Sequence, residues 1–452
     1  MGRGRRAALA AGHPPPYNSR VTPIDRLYYT VFREDEDARV CTDIPEGACT
    51  DVPSNFVRIV SADTMTSLAD ELANPKTVLP WLLSGMGADP FWTGLIVPIR
   101  ESMSLLPQLF IAGRIRRLPR RKYAWIAGSL VQAVALASIA AFAVFLRGGW
   151  TGGVVVAALL VYSLARGLKS ISSKDVIGKT IPKTRRGRLT GTKSSVSGAL
   201  TVAIGVAIAG ALSGDVAPSR IAVLIAAAAA LWLIAVGIFA FVREQPGATE
   251  GGGNALREAV QRLNVLRTDK AFRRFVLTRA LFVSTALAGP YYVLLAREYG
   301  EGGLLLGSFI IASGLASAAS SLVWGAFADR SSRLVLVAAA AIASLLGVGM
   351  FVLDRDGTLA AIPWLAPAAY FLLAIAHSGV RIGRKTYVLD LAGGQKRTDY
   401  VAVANTLIGV VLLAGSLVGT LTNVIGASGV LLVLAGFGFL GVILGLSLPE
   451  VE

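Results

Sequence analysis

Runs of about twenty mostly apolar residues recur along this chain between short polar connections, and this pattern constrains the fold more than any motif does. Hydrocarbon offers no water to a peptide group, so a run of that length crossing a bilayer satisfies its own backbone as an α-helix. Twelve such spans are predicted, at about 61–84, 92–113, 123–146, 152–172, 191–213, 219–242, 274–296, 303–326, 333–353, 361–381, 400–422 and 427–447. The first is interrupted by Asp63, Asp70, Glu71 and Lys76, and an amphipathic surface helix there is the alternative. Composition points the same way, since 54% of the 452 residues are apolar and only 16% are charged. That argues against a soluble enzyme and against disorder. The net charge of +16 is scattered between apolar runs, so it does not make a nucleic-acid-binding face. The expected fold is an all-α integral membrane protein with twelve transmembrane helices.

Lys and Arg gather in every second connection. The 113–122 loop holds Arg114, Arg116, Arg117, Arg120, Arg121 and Lys122 without an acid, and the loop after the fourth span, from Lys174 to Lys193, holds seven basic residues with Asp175 alone opposing them. These loops are expected to face the cytoplasm, which puts both termini there and the protein in a plasma (inner) membrane. The expected organisation is a polar cytoplasmic tail over 1–58, six spans over 59–242, a cytoplasmic linker with an amphipathic helix over 243–273, and six spans over 274–452. No cleavable signal is read at the start, where MGRGRR precedes too short an apolar run. Cys41 and Cys49, with His13 and His377 as the only histidines, make no four-ligand metal set, so no cofactor or metal is expected.

An offset of 212 residues lays Gly113 on Gly325, Arg121 on Arg333, Gly167 on Gly379, Lys169 on Arg381 and Arg185 on Arg397. One register serving two loops argues that the halves are structural copies, a common build for secondary transporters. Within it, GAFADRSSR, from Gly325 through Asp329 and Arg330 to Arg333, resembles the loop motif of the major facilitator superfamily. The first-half copy keeps Gly113 and the basic end at Arg121 but has Arg117 at the aspartate position. The resemblance implies two pseudo-symmetric six-helix bundles, a central cavity lined by spans 1, 4, 7 and 10, alternating access, and a gating role for Gly113, Arg121, Gly325, Asp329, Arg330 and Arg333. Span 5 lacks the proline of the family's antiporter signature, which disfavours a drug–proton antiporter. Gly210 with Gly214, Gly415 with Gly419 and Gly441 with Gly445 read as close-packing pairs. SKDVIGKT at 173–180 lacks the first glycine and the strand context of a phosphate-binding loop.

Ionisable groups at membrane depth face a cavity or a partner. Asp63, Ser67, Asp70 and Asn74 step along one face of span 1. Arg100 and Glu101 on span 2 point about 100° apart and so need different partners. Arg166 on span 4, Arg279 on span 7 and His377 on span 10 complete the cavity candidates, with Asp70 opposed to Arg279 as the expected proton-coupling pair. Lys169, Arg381, Arg384 and Lys385 are expected to reach for headgroups. The expected function is secondary active transport of a small solute, coupled to protons and with an anionic or amphipathic substrate, by a monomer in the lipid bilayer. The alternative is a transporter-shaped assembly factor or sensor that moves nothing.

Overall fold

The protein is seen in a computed structural model that describes Pro23, Tyr28, Ala48, Ile115 and residues 50–106, 117–211, 216–247, 263–300, 302–328, 330–391 and 397–451. The described residues are all-α. The principal helices are α1 Val52–Leu72, α2 Val78–Gly85, α3 Pro90–Leu105, α4 Lys122–Phe145, α5 Thr151–Thr180, α6 Lys183–Ala211 and α7 Pro218–Ala240 in the first half of the chain. The second half holds α8 Lys270–Leu281, α9 Gly289–Tyr299, α10 Gly303–Ala328, α11 Ser332–Arg355, α12 Leu365–Leu391, α13 Arg397–Gly415 and α14 Thr422–Leu446.

Nine helices among the described residues are long and apolar enough to cross a membrane, against the twelve expected. Three particular features account for the difference. The first span is split: α1 begins at Val52, ahead of the expected 58 boundary, and the chain breaks at 73–77, where Pro75 sits and the Asn74 carboxamide accepts the Lys76 N–H at 2.8 Å. The second, α3, has 16 residues and an internal Pro98. The last two merge into one apolar stretch, Val403–Leu446, in which a 3₁₀ turn at Ser416–Leu421 and Gly426 at φ 73° interrupt the α-helix.

Helix faces pointing away from the core carry large exposed apolar side chains, among them Phe145, Trp150, Val206, Val424 and Ile443. Water would penalise such a surface heavily and lipid does not, so the chain is a multi-pass integral membrane protein. In the first half α4 packs on α5 and α7, α1 on α7 and α6, and α3 on α5. In the second half α11 packs on α12 and α14, α10 on α12, and α8 on α14. The halves meet along α6 with α10 and along α3 with α13 and its 3₁₀ turn. At the first seam a Cβ on Gly307 would lie 2.6 Å from the Ala209 side chain, and one on Gly205 would lie 3.0 Å from the Ile311 backbone. The expected pairing role of Gly210 is not what the structure gives, because Gly210 is exposed with nothing within 4 Å of it. The seam uses Gly205 and Gly314 instead, on the neighbouring face of α6 and on α10.

The segment 173–180 is simply the last two turns of α5, so no phosphate-binding loop forms there. Cys41, Cys49, Gly113, Asp329 and residues 248–262 of the expected 243–273 linker lie outside the described residues. From the tail, Tyr28 is buried against Phe56 at the basic end of α1, with the Arg185 guanidinium over its ring.

Candidate functional site

Three breaks put polar groups where a continuous helix would bury only its own backbone. The α1–α2 break presents Asn74 and Lys76, Pro98 precedes Arg100 and Glu101 in α3, and the chain between α8 and α9 frees Thr285. Interrupted helices are tolerated at membrane depth where they line a cavity.

On the first half, the acids predicted from span 1 find partners from other helices of the same half. Asp70 accepts from the Arg100 guanidinium at 3.0 Å and from the Tyr162 hydroxyl on α5. In this structure Asp70 pairs with Arg100 and not with the Arg279 expected for it, which donates instead to Asn405. Glu101, turned from Arg100 by one residue of helix, meets Arg166 at 3.7 Å. Asp63 sits deeper toward the basic end, 3.1 Å from Lys193 and 3.8 Å from Lys169. The Lys169 ammonium also lies 5.5 Å from the Trp125 ring and 5.1 Å from the Trp232 ring. Lys169 thus turns into the protein, where a carboxylate and two π faces outweigh the headgroup region expected for it. Asn74 donates to Glu71 at 2.9 Å, and Glu71 also accepts from Ser313 on α10 at 3.0 Å, a hydrogen bond between the two halves.

On the second half, Arg279 donates to Asn405 on α13 at 2.8 Å, and its Nε is buried with no partner among the described residues. His377 Nδ1 lies 3.1 Å from the Thr285 hydroxyl. α12 continues to Leu391, well past the expected end at 381, and this carries Arg384 and Lys385 on inward as part of a helix. His377, Arg381, Arg384, Lys385 and Val388 fall at helical spacing on one face and line the same cavity.

That cavity has a volume of about 560 Å³ and lies between the halves. Its ionisable lining is Lys76, Arg166, Lys174, Arg279, Arg381, Arg384 and Lys385, with His377, against Glu101 as the one carboxylate. A second cavity of about 220 Å³ shares Lys76, Glu101, Arg166, Thr285, His377 and Arg381 with it and adds Asp70, Glu71, Asn74, Arg100 and Ser313. Of the eight cavity candidates read from the sequence, seven line one or both spaces, and Asp63 does not. Sequence reasoning did not single out Glu71, Lys76, Lys174 or Asn405, and it sent Arg381, Arg384 and Lys385 to the headgroups. The helical spacing of 377, 381, 384, 385 and 388 was the available signal.

At the end of the molecule away from Lys174 and Arg384 the halves touch. A Cβ on Gly94 of α3 would lie 2.4 Å from Gly419 Cα, so only glycine allows this approach. Arg297 on α9 donates to the Trp81 carbonyl at 2.7 Å and stacks over its ring, and Asn423 donates to Asp89 at 3.2 Å. The cavity is closed there and continues toward the basic end.

In the described parts of the two loops, acids from elsewhere stand near the basic ends. Arg121 pairs with Asp175 at 3.3 Å, and the aspartate missing from the first-half motif is replaced from elsewhere. Glu244, just beyond α7, accepts the Arg121 and Lys122 N–H groups at 3.0 and 2.7 Å and pairs with Lys179 at 2.9 Å. A carboxylate at a helix N-terminus is favourable on electrostatic grounds. In the second half Glu450, just beyond α14, pairs with Arg333 at 3.2 Å and accepts from Ser331. Each half thus places a glutamate just beyond its last helix against its loop, Glu244 through backbone N–H groups and Lys179, and Glu450 through the Ser331 and Arg333 side chains. Gly325 lies within α10, and Arg330 is exposed in the turn that follows it.

No protein-family model matches the chain. An uncharacterized protein of Mycobacterium tuberculosis is 24% identical over 377 residues, covering 78% of this chain and 68% of that one, and one of Mycobacterium bovis matches equally. Among solved structures, a mutant of the nucleoside transporter NupG superposes with a TM-score of 0.69 at 11% identity, over 87% of this chain and 99% of that one. The inward-open xylose transporter XylE of E. coli gives 0.63 at 13% identity, over 88% and 96%. A POT family transporter in complex with 5-aminolevulinic acid gives 0.66 at 10% identity, over 87% and 95%. The chain has the fold that these transporters share, which is the fold the loop motif implied.

Proposed function

We propose that this chain is a secondary active transporter that moves a small anionic solute by alternating access. The observation that carries the reading is the cavity between the halves, closed at one end by Gly94 against Gly419 and lined by seven basic side chains to one carboxylate. Such a surplus gives the site a positive potential, and low-dielectric walls focus it. On this reading the chain makes twelve crossings in two six-helix bundles, with α1 and α2 forming the first, α8 and α9 the seventh, and α13 with its 3₁₀ turn the eleventh. The basic end faces the cytoplasm, and the cavity stands open inward. It acts as a carrier, not as an enzyme.

Two experiments test this. Alkaline phosphatase fused after Glu452 is expected to be inactive, since the positive-inside bias keeps that terminus in the cytoplasm; activity outside would reverse the orientation. Purified protein in proteoliposomes is expected to catalyse uptake of a labelled carboxylate or phosphate compound, and uptake should fall at least about tenfold in Arg279→Gln, consistent with loss of a hydrogen bond from a charged group. A protein that moves no solute of any charge would instead be the assembly factor or sensor.

A further inference from the structure

Five cavity cations, Lys76, Lys174, Arg381, Arg384 and Lys385, make no ion pair among the described residues. The acids near them are engaged elsewhere, Glu101 by Arg166, Asp70 by Arg100, and Glu71 by Asn74 and Ser313. Three of the five stand at i, i+3 and i+4 on α12, a spacing at which like charges oppose the helix that carries them. Glu101 on α3 attracts Lys76 and Arg384 and so offsets part of this charge, but the cations of other elements add to the repulsion. Lys174 on α5 approaches closely enough to repel Lys385, Arg279 on α8 does the same to Arg384, and Lys76 after α1 to Arg381. Arg279 is 7% exposed, and its Nε has no hydrogen-bond partner among the described residues.

Open to water, these charges are solvated and their repulsion is screened. Alternating access requires the basic end to close, bringing α5 and α6 toward α12 and α13. Closure over an empty site would expel the water and leave like charges facing each other at low dielectric, where both the desolvation cost and the repulsion grow. A single negative charge would offset one or two of the cations. A solute with two or more anionic groups would sit between Lys174 on one half and Arg381, Arg384 and Lys385 on the other, and turn repulsion between the halves into attraction.

We infer that the cavity takes solutes bearing two or more carboxylate or phosphate groups and that the protein is an obligate exchanger of them, because the empty site cannot close. The inference rests on the transport reading above and deepens it. The driving gradient is then that of the counter-anion, in place of the proton expected from the sequence.

Proteoliposomes of phosphatidylcholine, loaded with unlabelled citrate or inorganic pyrophosphate, are offered the same labelled compound outside. Uptake into loaded vesicles is expected to exceed uptake into empty ones by at least about 100-fold, since a closure barrier built from several like charges costs orders of magnitude in rate. Equal rates, exchange of neither probe, or uptake into empty vesicles driven by a pH gradient alone would overturn the inference. A second readout needs no flux: spin labels at Thr190→Cys and Asp390→Cys, in a Cys41→Ser, Cys49→Ser background, report the width of the basic end. Citrate should populate a shorter separation that acetate at equal ionic strength does not, and Arg381→Gln/Arg384→Gln/Lys385→Gln should populate it with no anion present. A separation indifferent to both defeats the exchanger even if solute uptake is seen, in which case the transport reading stands. Shortening on phosphatidylglycerol but not on citrate would make the anion a lipid headgroup and also defeat it. A separation that responds to citrate while no solute crosses would sink transport itself.

Discussion

Protein carrying Asp63→Ala is expected to lose about 3–5 kcal/mol of stability, the usual result of removing one partner from a buried ion pair. The Asp63 side chain is 5% exposed and serves two ammonium groups, of which Lys169 is 14% exposed. Lys193, at 30%, can find water when the carboxylate is gone, whereas Lys169 stays between Trp125 and Trp232 with its charge uncompensated. Thermal melts in detergent check this. Asp63→Ala/Lys169→Met should recover much of the loss, because deleting both charges removes the orphaned one. A single variant that melts with the parent would show that the pair carries no stability.

The second large effect is conformational. Gly94→Leu should prevent the halves from meeting at the end opposite Lys174, since even the Cβ would sit 2.4 Å from the Gly419 backbone. The population should shift away from the state with the basic end open, and exchange should fall at least about 100-fold, as a closed step costing a few kcal/mol implies. A thiol reagent confined to the basic side should label Ser104→Cys more slowly in this background than in the parent. Undiminished labelling and transport would mean that the Gly94–Gly419 contact is not part of the gate. Gly210→Leu, a change of the same size at an exposed glycine with nothing within 4 Å, should leave both unchanged.

Much of the site was legible as residue types but not as partnerships. The one-residue step between Arg100 and Glu101 fixed that they would diverge, and they do, to Asp70 and Glu101's own partner Arg166. The same reasoning matched Asp70 to Arg279 because both lie at membrane depth, yet depth along a helix does not say which neighbour is adjacent. Arg100 reaches Asp70 from α3, whereas Arg279 on α8 is held by Asn405 on α13. Arg381, Arg384 and Lys385 were misplaced for a simpler reason: apolar content falls before α12 ends, so a hydropathy boundary stopped at 381 while the backbone hydrogen bonds ran on to Leu391.

By itself the sequence determined that this is an all-α membrane protein built from a repeated pattern, because an unbonded peptide group in hydrocarbon is too costly for any other use of long apolar runs. It determined, too, that charge would be held inside. Only the tertiary structure decided where each charge ended, since side chains hundreds of positions apart, such as Glu71 and Ser313 or Arg297 and Trp81, come together through helix packing that no local spacing encodes. It also decided that the halves touch at the Gly94–Gly419 end. Closure depends on Gly94, which nothing in the sequence marks, and on Gly419, whose spacing from Gly415 marked it for close packing without naming its partner; two backbones meet there without room for a side chain.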